Sequence, residues 1–253
     1  MSTLPTSNAV KYVAYEILPH IHSFSDMEPY TNHGIRHSEN VLTFLEKMQE
    51  ICGKNGFSLN EAEKLILECA CWLHDIGCIR DRESHARHSV DIIRTLCEKG
   101  LLNLGIIKEQ VEYVVYAHSK KGIKLEDVEE IQPITGIADK VRLRYICALF
   151  KLADECDITR LRAPRAVYEI LKDKLPADSK LWWLGHDNVI NIDFLPEEGK
   201  ILVHMKEEDT KGMDMLKSLK ETLEESKDIL EKNKFPCIEC DVLYHPPVNI
   251  EDE

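Results

Sequence analysis

The chain has 253 residues, 43% of them hydrophobic, so it can form a full hydrophobic core without disulfide bonds or a structural metal. Its 45 acidic and 32 basic side chains give a formal net charge of −13. This charge argues against an extended nucleic-acid interface, which needs clustered lysine and arginine. A small phosphorylated substrate is compatible with it, because a bound metal or a local basic pocket reverses the field near a site.

The cysteine content and the first residues indicate the cellular compartment of the protein. Nine cysteines and a short polar start at residues 1–8 predict a reducing compartment, and we expect a cytoplasmic protein. No long apolar stretch predicts a membrane span.

Apolar residues recur at helical spacing through most of the first 175 residues. The periodicity predicts helices over residues 9–24, 37–51, 62–76, 84–99, 104–118, 138–157 and 164–175. We expect Gly77 to end the third helix and Ser84 to cap the fourth. The segment 121–136 mixes glycine, acids and Pro133, which predicts a loop or short helix near the site.

The pattern changes after Pro176. Apolar runs at 189–194 and 201–205 flank the turn sequence at 196–199, which predicts a β-hairpin. An amphipathic helix over 213–232 and a strand over 237–244 are expected next, forming a small antiparallel sheet packed with one helix. The predicted fold is therefore mainly α, with a helical domain over residues 1–176 and a small α+β segment over 177–253.

Six potential metal ligands follow one another through the helical part. All are nitrogen or oxygen donors suited to a divalent ion. They are His37, the adjacent His74 and Asp75, His85, His118 and Asp154. Neighbours on a helix point about a third of a turn apart, so His74 and Asp75 reach one metal only at a helix end or a kink. Asp154 lies in an apolar helix, where a buried carboxylate needs a partner.

Two of the histidines have a competitor on the same helical face. His33 lies four residues before His37, and His88 lies three residues after His85, so spacing alone allows either member of each pair. We favour His37 because Gly34 disfavours a well-formed helix around His33. His33 is then expected to act as a hydrogen-bonding neighbour or a helix cap.

The order of these residues resembles the HD phosphohydrolase superfamily, which is named after its His-Asp doublet. The resemblance covers residues 33–164 and includes Trp72-Leu73-His74-Asp75-Ile76-Gly77 and Lys151-Leu152-Ala153-Asp154. It implies an HD-type helical bundle and a family pattern that places His85, rather than His88, four residues before the small pair Ser89-Val90. The implied first-metal ligands are His37, His74 and Asp154, with His85 and His118 on a second metal and Asp75 between the two.

The resemblance also implies the chemistry. Asp75 and His74 are the expected catalytic residues, and the expected cofactors are one or two divalent ions among Mn, Fe, Mg, Ni, Co and Zn. Such a centre activates water and neutralises charge during displacement at phosphorus. The expected reaction is hydrolysis of a phosphoester in a small phosphorylated substrate, with a nucleotide preferred.

Cations near the ligands are candidates for phosphate binding. The expected substrate contacts are Arg36, His88, Arg144 and Arg160. Arg144 is included because it lies ten residues before Asp154 on the same predicted helix and so at nearly the same angular position.

The stretch 154–164 further resembles HD domains found with Hsp90-like ATPases in bacterial conflict systems. An Hsp90-like ATPase or a second copy of the chain is therefore an expected partner. Two other functions stay open: a sensor or scaffold that binds a nucleotide or metal without turnover, and a di-iron oxygenase on the same scaffold.

Three features are interpreted as structural. The pair Cys237 and Cys240 has zinc or redox spacing but no second pair. Trp182-Trp183 is expected to pack between the two parts of the chain. His186 has no recognisable spacing to the other histidines.

Overall fold

The computed structural model describes residues 4–21, 31, 33–136, 140–208 and 212–245. In the described residues the α-helices are α1 (Ser7–Ile17), α2 (Ile35–Lys54), α3 (Glu61–Leu73), α4 (His85–Glu98), α5 (Lys108–Ala117), α6 (Leu143–Glu155), α7 (Arg165–Leu171), α8 (Ala177–Asn188) and α9 (Met213–Lys232). The strands are β1 (Gln132–Pro133), β2 (Lys140–Val141), β3 (Val189–Leu195), β4 (Lys200–Met205) and β5 (Glu239–Tyr244). Short 3₁₀ helices occur at Leu18–His20, Ile76–Ile79, Gly105–Ile107 and Leu125–Asp127. This confirms the mainly α fold with a small C-terminal sheet.

Most helices lie close to those predicted, and several differences have local causes. α8 was not predicted, and α7 ends at Leu171 rather than at residue 175. α1 is shorter than predicted, because a 3₁₀ turn follows Ile17; residues 22–24 of that prediction lie outside the described residues. α3 ends at Leu73 because Asp75 leaves the helical conformation, at φ −103° and ψ 3°. α6 begins at Leu143, because β2 precedes it and pairs with β1; residues 138 and 139 of that prediction lie outside the described residues.

Gly77 and Ser84 act differently from the expectation. Gly77 does not end α3 but lies inside the following 3₁₀ helix. A Cβ atom there would lie 2.0 Å from the His85 carbonyl oxygen and 2.4 Å from the Ser89 nitrogen, so glycine allows close contact with α4. Ser84 occupies the N-cap position of α4 without a side-chain cap, and its own N–H donates to Asp81 Oδ1 at 2.7 Å.

α6 is the central helix of the core. Every residue from Tyr145 to Ala153 is buried, and the helix packs against α2, α3, α5 and α9. Because α6 is buried on all sides, its polar side chains are buried too and need hydrogen-bonding or charged partners. Lys151 Nζ accordingly lies 2.6 Å from Glu225 of α9.

A buried ion pair joins the start of α3 to the start of α6. Asn60 caps α3 in a capping box with Glu63, which is fully buried. Arg142 donates to both carboxylate oxygens of Glu63 and lies over the rings of Phe57 and Tyr145. Three polar groups at two helix starts are thereby satisfied together.

The C-terminal sheet has the order β3-β4-β5. β3 and β4 form the predicted antiparallel hairpin. The expectation of an all-antiparallel sheet is wrong, because β5 pairs with β4 in parallel. The chain needs a crossover to return for a parallel strand, and α9 provides it. Buried residues of the sheet and of α9 belong to the same hydrophobic cluster as those of the helical part. The division into domains at residue 176 stays a prediction.

Among the described residues, no helix is long and apolar enough to cross a membrane.

We predict that Gly77→Ala lowers the free energy of unfolding by about 2–3 kcal/mol, because the added Cβ meets backbone atoms that cannot move independently. Urea denaturation measures this. The control is Gly53→Ala within α2, where a Cβ would lie 3.7 Å from Ser58 Oγ. We expect that variant to be neutral or stabilised by up to about 1 kcal/mol. Equal effects of both substitutions would contradict the packing role of Gly77.

Candidate metal centre

All six predicted ligands meet at one buried place. His37 is the third residue of α2, His74 follows α3 directly, and Asp75 is next to it. His85 begins α4, His118 follows α5, and Asp154 lies in the last turn of α6. Five separate helix ends thus supply the side chains, and the four histidines and Asp75 are at most 5% exposed.

The first half of the centre contains His37, His74, Asp75 and Asp154. The Nε2 atoms of His37 and His74 lie 3.1 Å apart, and each is 3.5 Å from Asp75 Oδ2. Asp154 Oδ1 lies 3.0 Å from His37 Nε2 and 3.8 Å from His74 Nε2. These four donors converge, and their binding of a first metal ion stays a prediction.

The second half contains His85, His118 and the other oxygen of Asp75. The Nε2 atoms of the two histidines lie 2.9 Å apart. Asp75 Oδ1 lies 3.4 Å from His85 Nε2 and 3.9 Å from His118 Nε2. The two oxygens of Asp75 therefore face two different pairs of imidazoles, as a carboxylate between two metal ions does.

The spacing of these atoms fits divalent metal ions. Ligands at right angles with bonds of about 2.1 Å are about 3.0 Å apart. The separations of 3.1 and 2.9 Å within the two histidine pairs match this value. Each pair, together with Asp75, forms a cluster able to hold a metal ion.

The outer nitrogen of each histidine has a partner that fixes the ring. The Nδ1 atoms of three histidines lie close to the carbonyl oxygen three residues earlier: His74 at 2.9 Å from Cys71, His85 at 2.7 Å from Arg82, and His118 at 2.6 Å from Val115. His37 Nδ1 instead lies 2.6 Å from Asp157 Oδ2. When Nδ1–H donates to these oxygens, the Nε2 lone pairs face the centre, which is the usual arrangement of metal-binding histidines.

The charges of the centre favour a cation. Burial opposes ionisation of Asp75, yet the neighbouring imidazoles, His74 first, hold the pKa of its carboxyl well below its usual range. Burial likewise opposes ionisation of Asp154 and Asp157, but hydrogen bonds with His37 lower the pKa of both carboxyls.

The histidines differ in protonation. Burial and Arg162 oppose the charge on His37, but hydrogen bonds to Asp154 and Asp157 raise its pKa to about 9. Burial lowers the pKa of His74 to about 4 and that of His85 to about 3. Three carboxylates thus face one imidazolium among these groups, and a divalent ion would replace that proton and neutralise the excess negative charge.

Ser89 holds the doublet in place. Its hydroxyl donates to the His74 carbonyl oxygen at 2.5 Å and accepts from the Gly77 N–H at 2.8 Å. These bonds satisfy backbone groups left free where α3 stops before Asp75. The small pair Ser89-Val90 in the sequence therefore has a local structural function.

A cleft of about 480 Å³ opens onto the centre. His85, His118 and Asp154 line its inner end. Its cationic side chains are Arg82, Lys120, Lys121 and Arg162, and its aromatic ones include Trp182 and Trp183. Lys120 pairs with Glu221 and Lys121 with Glu83.

The four predicted substrate contacts do not line this cleft. Arg36 and Arg160 line a second pocket. His88 Nε2 lies 2.5 Å from Asp81, and Arg144 donates to the carbonyl oxygens of Val128 and Glu126. A direct substrate contact by any of them stays a prediction without support from this geometry.

Other residues of the site were missed or underestimated. Arg82 Nη1 lies 2.8 Å from His85 Nδ1, and Arg82 lines the cleft; its place three residues before His85 was the available signal. Asp157, which was not among the predicted site residues, is buried against His37 and accepts from Asn40 at 3.0 Å. His186 lines the cleft with Nδ1 2.9 Å from the Ile158 carbonyl oxygen, and burial lowers its pKa to about 3. No sequence signal identifies His186.

The features interpreted as structural have the following places. Cys237 is fully buried in the core and Cys240 lies on β5; all nine cysteines of the chain are free thiols. Trp183 packs in a small cluster with Ala163 and Leu175, whereas Trp182 is 49% exposed beside the cleft.

Comparison with known families adds one finding. The HD-CE family model matches residues 27–227, which is more than half of the chain and includes all six predicted ligands. No curated protein matches the chain.

We predict that Asp157→Asn weakens metal binding by about 10- to 100-fold, because His37 loses the carboxylate that fixes its ring and tautomer. Titration with Mn²⁺ or Zn²⁺ followed by calorimetry measures the affinity. The matched control is Asp193→Asn, which removes a carboxylate 3.0 Å from His204 on the C-terminal sheet. Unchanged metal affinity in Asp157→Asn would show that the His37–Asp157 contact does not support the centre.

We also predict that His85→Ala and His118→Ala each halve the bound metal, because they remove ligands of the second half only. His37→Ala should instead reduce the first half, leaving the pair His85 and His118 in place. Elemental analysis of the loaded proteins gives the stoichiometry, with His204→Ala as control. Two tightly bound metal ions in the double variant His85→Ala/His118→Ala would disprove the division into two halves.

Proposed function

Because this chain belongs to the HD-CE family, a family of the HD-domain type, we propose that it is a metal-dependent phosphohydrolase. Its proposed substrate is a small phosphorylated molecule, with a nucleotide preferred, and its reaction is hydrolysis of a phosphoester. The observation that carries the proposal is the Asp75 carboxylate, whose two oxygens face two converging histidine pairs. His85, His118 and Asp154 of this centre line the cleft.

One or two divalent ions, held by the six ligands, would supply Lewis acidity and a coordinated water of lowered pKa. Asp75 faces the ligands of both halves of the centre. Asp75 and His74 are the proposed catalytic pair. Asp154 balances charge in the first half and closes it from the side of α6. Burial of these groups keeps bulk water away, which strengthens their interaction with a developing negative charge.

The cations of the cleft support a phosphorylated substrate. Arg82 lies against His85, and Arg162 donates to the Asp157 carbonyl oxygen at 3.2 Å, so both guanidinium groups are close to the centre. Guanidinium groups match phosphate oxygens in geometry and charge. Lys120 and Lys121 stand farther out with their carboxylate partners, where they attract an anion to the cleft entrance.

The rest of the cleft supports a substrate with an organic part. Its volume of about 480 Å³ lies within the range of small-molecule sites. Ile158, Met215 and the two tryptophans contribute apolar and aromatic surface to its walls. A nucleobase can stack on such rings while its phosphate reaches the metal centre.

The same donor set also fits two irons, so a di-iron oxygenase is the second candidate. Metal content and spectroscopy distinguish the two functions. A sensor or scaffold role, a cytoplasmic location and a partnership with an Hsp90-like ATPase or a second copy stay predictions from the sequence.

The test is a screen of phosphatase, nucleotidase and cyclic-nucleotide phosphodiesterase activity with Mn²⁺, Mg²⁺, Fe²⁺, Ni²⁺ and Co²⁺. We expect one substrate class to release phosphate or a nucleoside monophosphate, and Asp75→Asn to reduce this activity by more than about a hundredfold. Asp193→Asn on the C-terminal sheet is the matched control and should keep full activity. An iron-loaded protein that consumes oxygen and hydrolyses none of these esters would overturn the proposal.

A further inference from the structure

A second pocket of about 560 Å³ lies outside the catalytic cleft. Its polar lining consists of Arg36, Arg160, Arg165, Lys206 and Asp187. No residue lines both this pocket and the cleft, and no histidine or cysteine is among its lining residues. Four cations and one acid line the pocket, although Arg165 also pairs with Glu169 beside it.

The four cations come from four separate parts of the chain. Arg36 is in the first turn of α2, Arg160 lies in the loop after α6, Arg165 begins α7, and Lys206 follows β4. The backbone N–H of Arg160 donates to the Val189 carbonyl oxygen at 3.0 Å, which ties this loop to β3. The convergence is therefore a product of the tertiary fold, not of one basic run in the sequence.

The pairing of these cations is incomplete. Arg165 Nη1 and Lys206 Nζ share Asp187 Oδ2, at 3.5 and 3.1 Å, and Arg165 Nη2 also lies 2.5 Å from Glu169 Oε1. Within the described parts of the chain, no carboxylate oxygen lies within 4.0 Å of the guanidinium nitrogens of Arg36 or Arg160. The chain has 45 acidic side chains for 32 basic ones, so acidic partners are plentiful elsewhere. Two exposed arginines left without one at the same pocket indicate a place for an external anion.

We propose that this pocket binds the di- or triphosphate group of a small soluble ligand, at a site separate from the catalytic cleft. Guanidinium groups donate two parallel hydrogen bonds to phosphate oxygens, and lysine adds a point charge. A single phosphate group would not contact cations that come from four directions, whereas a chain of two or three phosphate groups would.

The pocket is linked to the metal centre along the chain. Arg36 directly precedes His37, and Arg160 lies three residues after Asp157. His37 Nδ1 and Asp157 Oδ2 lie 2.6 Å apart behind the metal centre. Metal content is therefore measured for each variant used in the test, so that loss of anion binding is not confused with damage to the centre.

Isothermal titration of the full chain, as purified, with inorganic tripolyphosphate tests the proposal. We expect saturable binding with one site outside the cleft, and a loss of affinity of about tenfold in Arg160→Ala and more in Arg36→Ala/Arg160→Ala. The matched surface control is the exposed Arg87→Ala on α4, which should bind normally. Arg82→Ala, which changes the cleft, should also keep this binding.

Each outcome of the tripolyphosphate titration supports or overturns the proposed anion site. Absence of saturable binding, or full affinity in Arg36→Ala/Arg160→Ala, would overturn the proposal. Loss of binding in Arg82→Ala alone would place the anion in the cleft and overturn it as well. Binding only to vesicles that contain a phosphorylated inositol lipid would show a membrane headgroup in place of a soluble ligand. The result does not depend on hydrolysis, so failure of the proposed activity and failure of this site are separate outcomes.

Discussion

The buried carboxylate of Asp75 is the constraint on which the other features of the site depend. Its two oxygens each face a pair of imidazole nitrogens, at 3.4–3.9 Å. A charged group so deeply buried is costly unless partners or a cation compensate it. Imidazole groups compensate the Asp75 carboxylate on both sides, and five helix ends converge to bring these partners together.

The position of Asp75 also determines local structure. α3 has to stop at Leu73 so that His74 and Asp75 face the same space, and the freed backbone groups are then bound by Ser89. Gly77 allows the chain to pass close enough to α4 for this contact. The histidines lie at helix ends for a related reason: three of them use a carbonyl oxygen three residues earlier to fix the ring. The remaining one, His37, receives its carboxylate from 120 residues away and so depends on the packing of α2 against α6.

The sequence was sufficient to predict most of the helices, the hairpin and the six residues that meet at the centre, because donor type and order along a periodic pattern are local properties. It did not predict α8. It was not sufficient for residues whose role depends on three-dimensional neighbours. His186 reaches the cleft from a place that no sequence spacing indicates, and the spacing of Arg82 to His85 did not by itself identify Arg82 as a cleft residue. Arg144 shows the opposite error: ten residues of helix separate it from Asp154 by about 15 Å and leave the two about 80° apart around the helix axis. The local sequence could not predict the parallel pairing of β5 either, since strand direction depends on the path of α9.

The central proposal is that the two oxygens of Asp75 would hold two metal ions, one in each half of the centre. Electron paramagnetic resonance of the protein loaded with Mn²⁺ tests it most directly, since two ions bridged by one carboxylate are magnetically coupled. We expect two Mn²⁺ per chain and a coupled multiline spectrum, which becomes an uncoupled spectrum in Asp75→Asn. A single uncoupled Mn²⁺ signal from the fully loaded, unmodified protein would contradict the account.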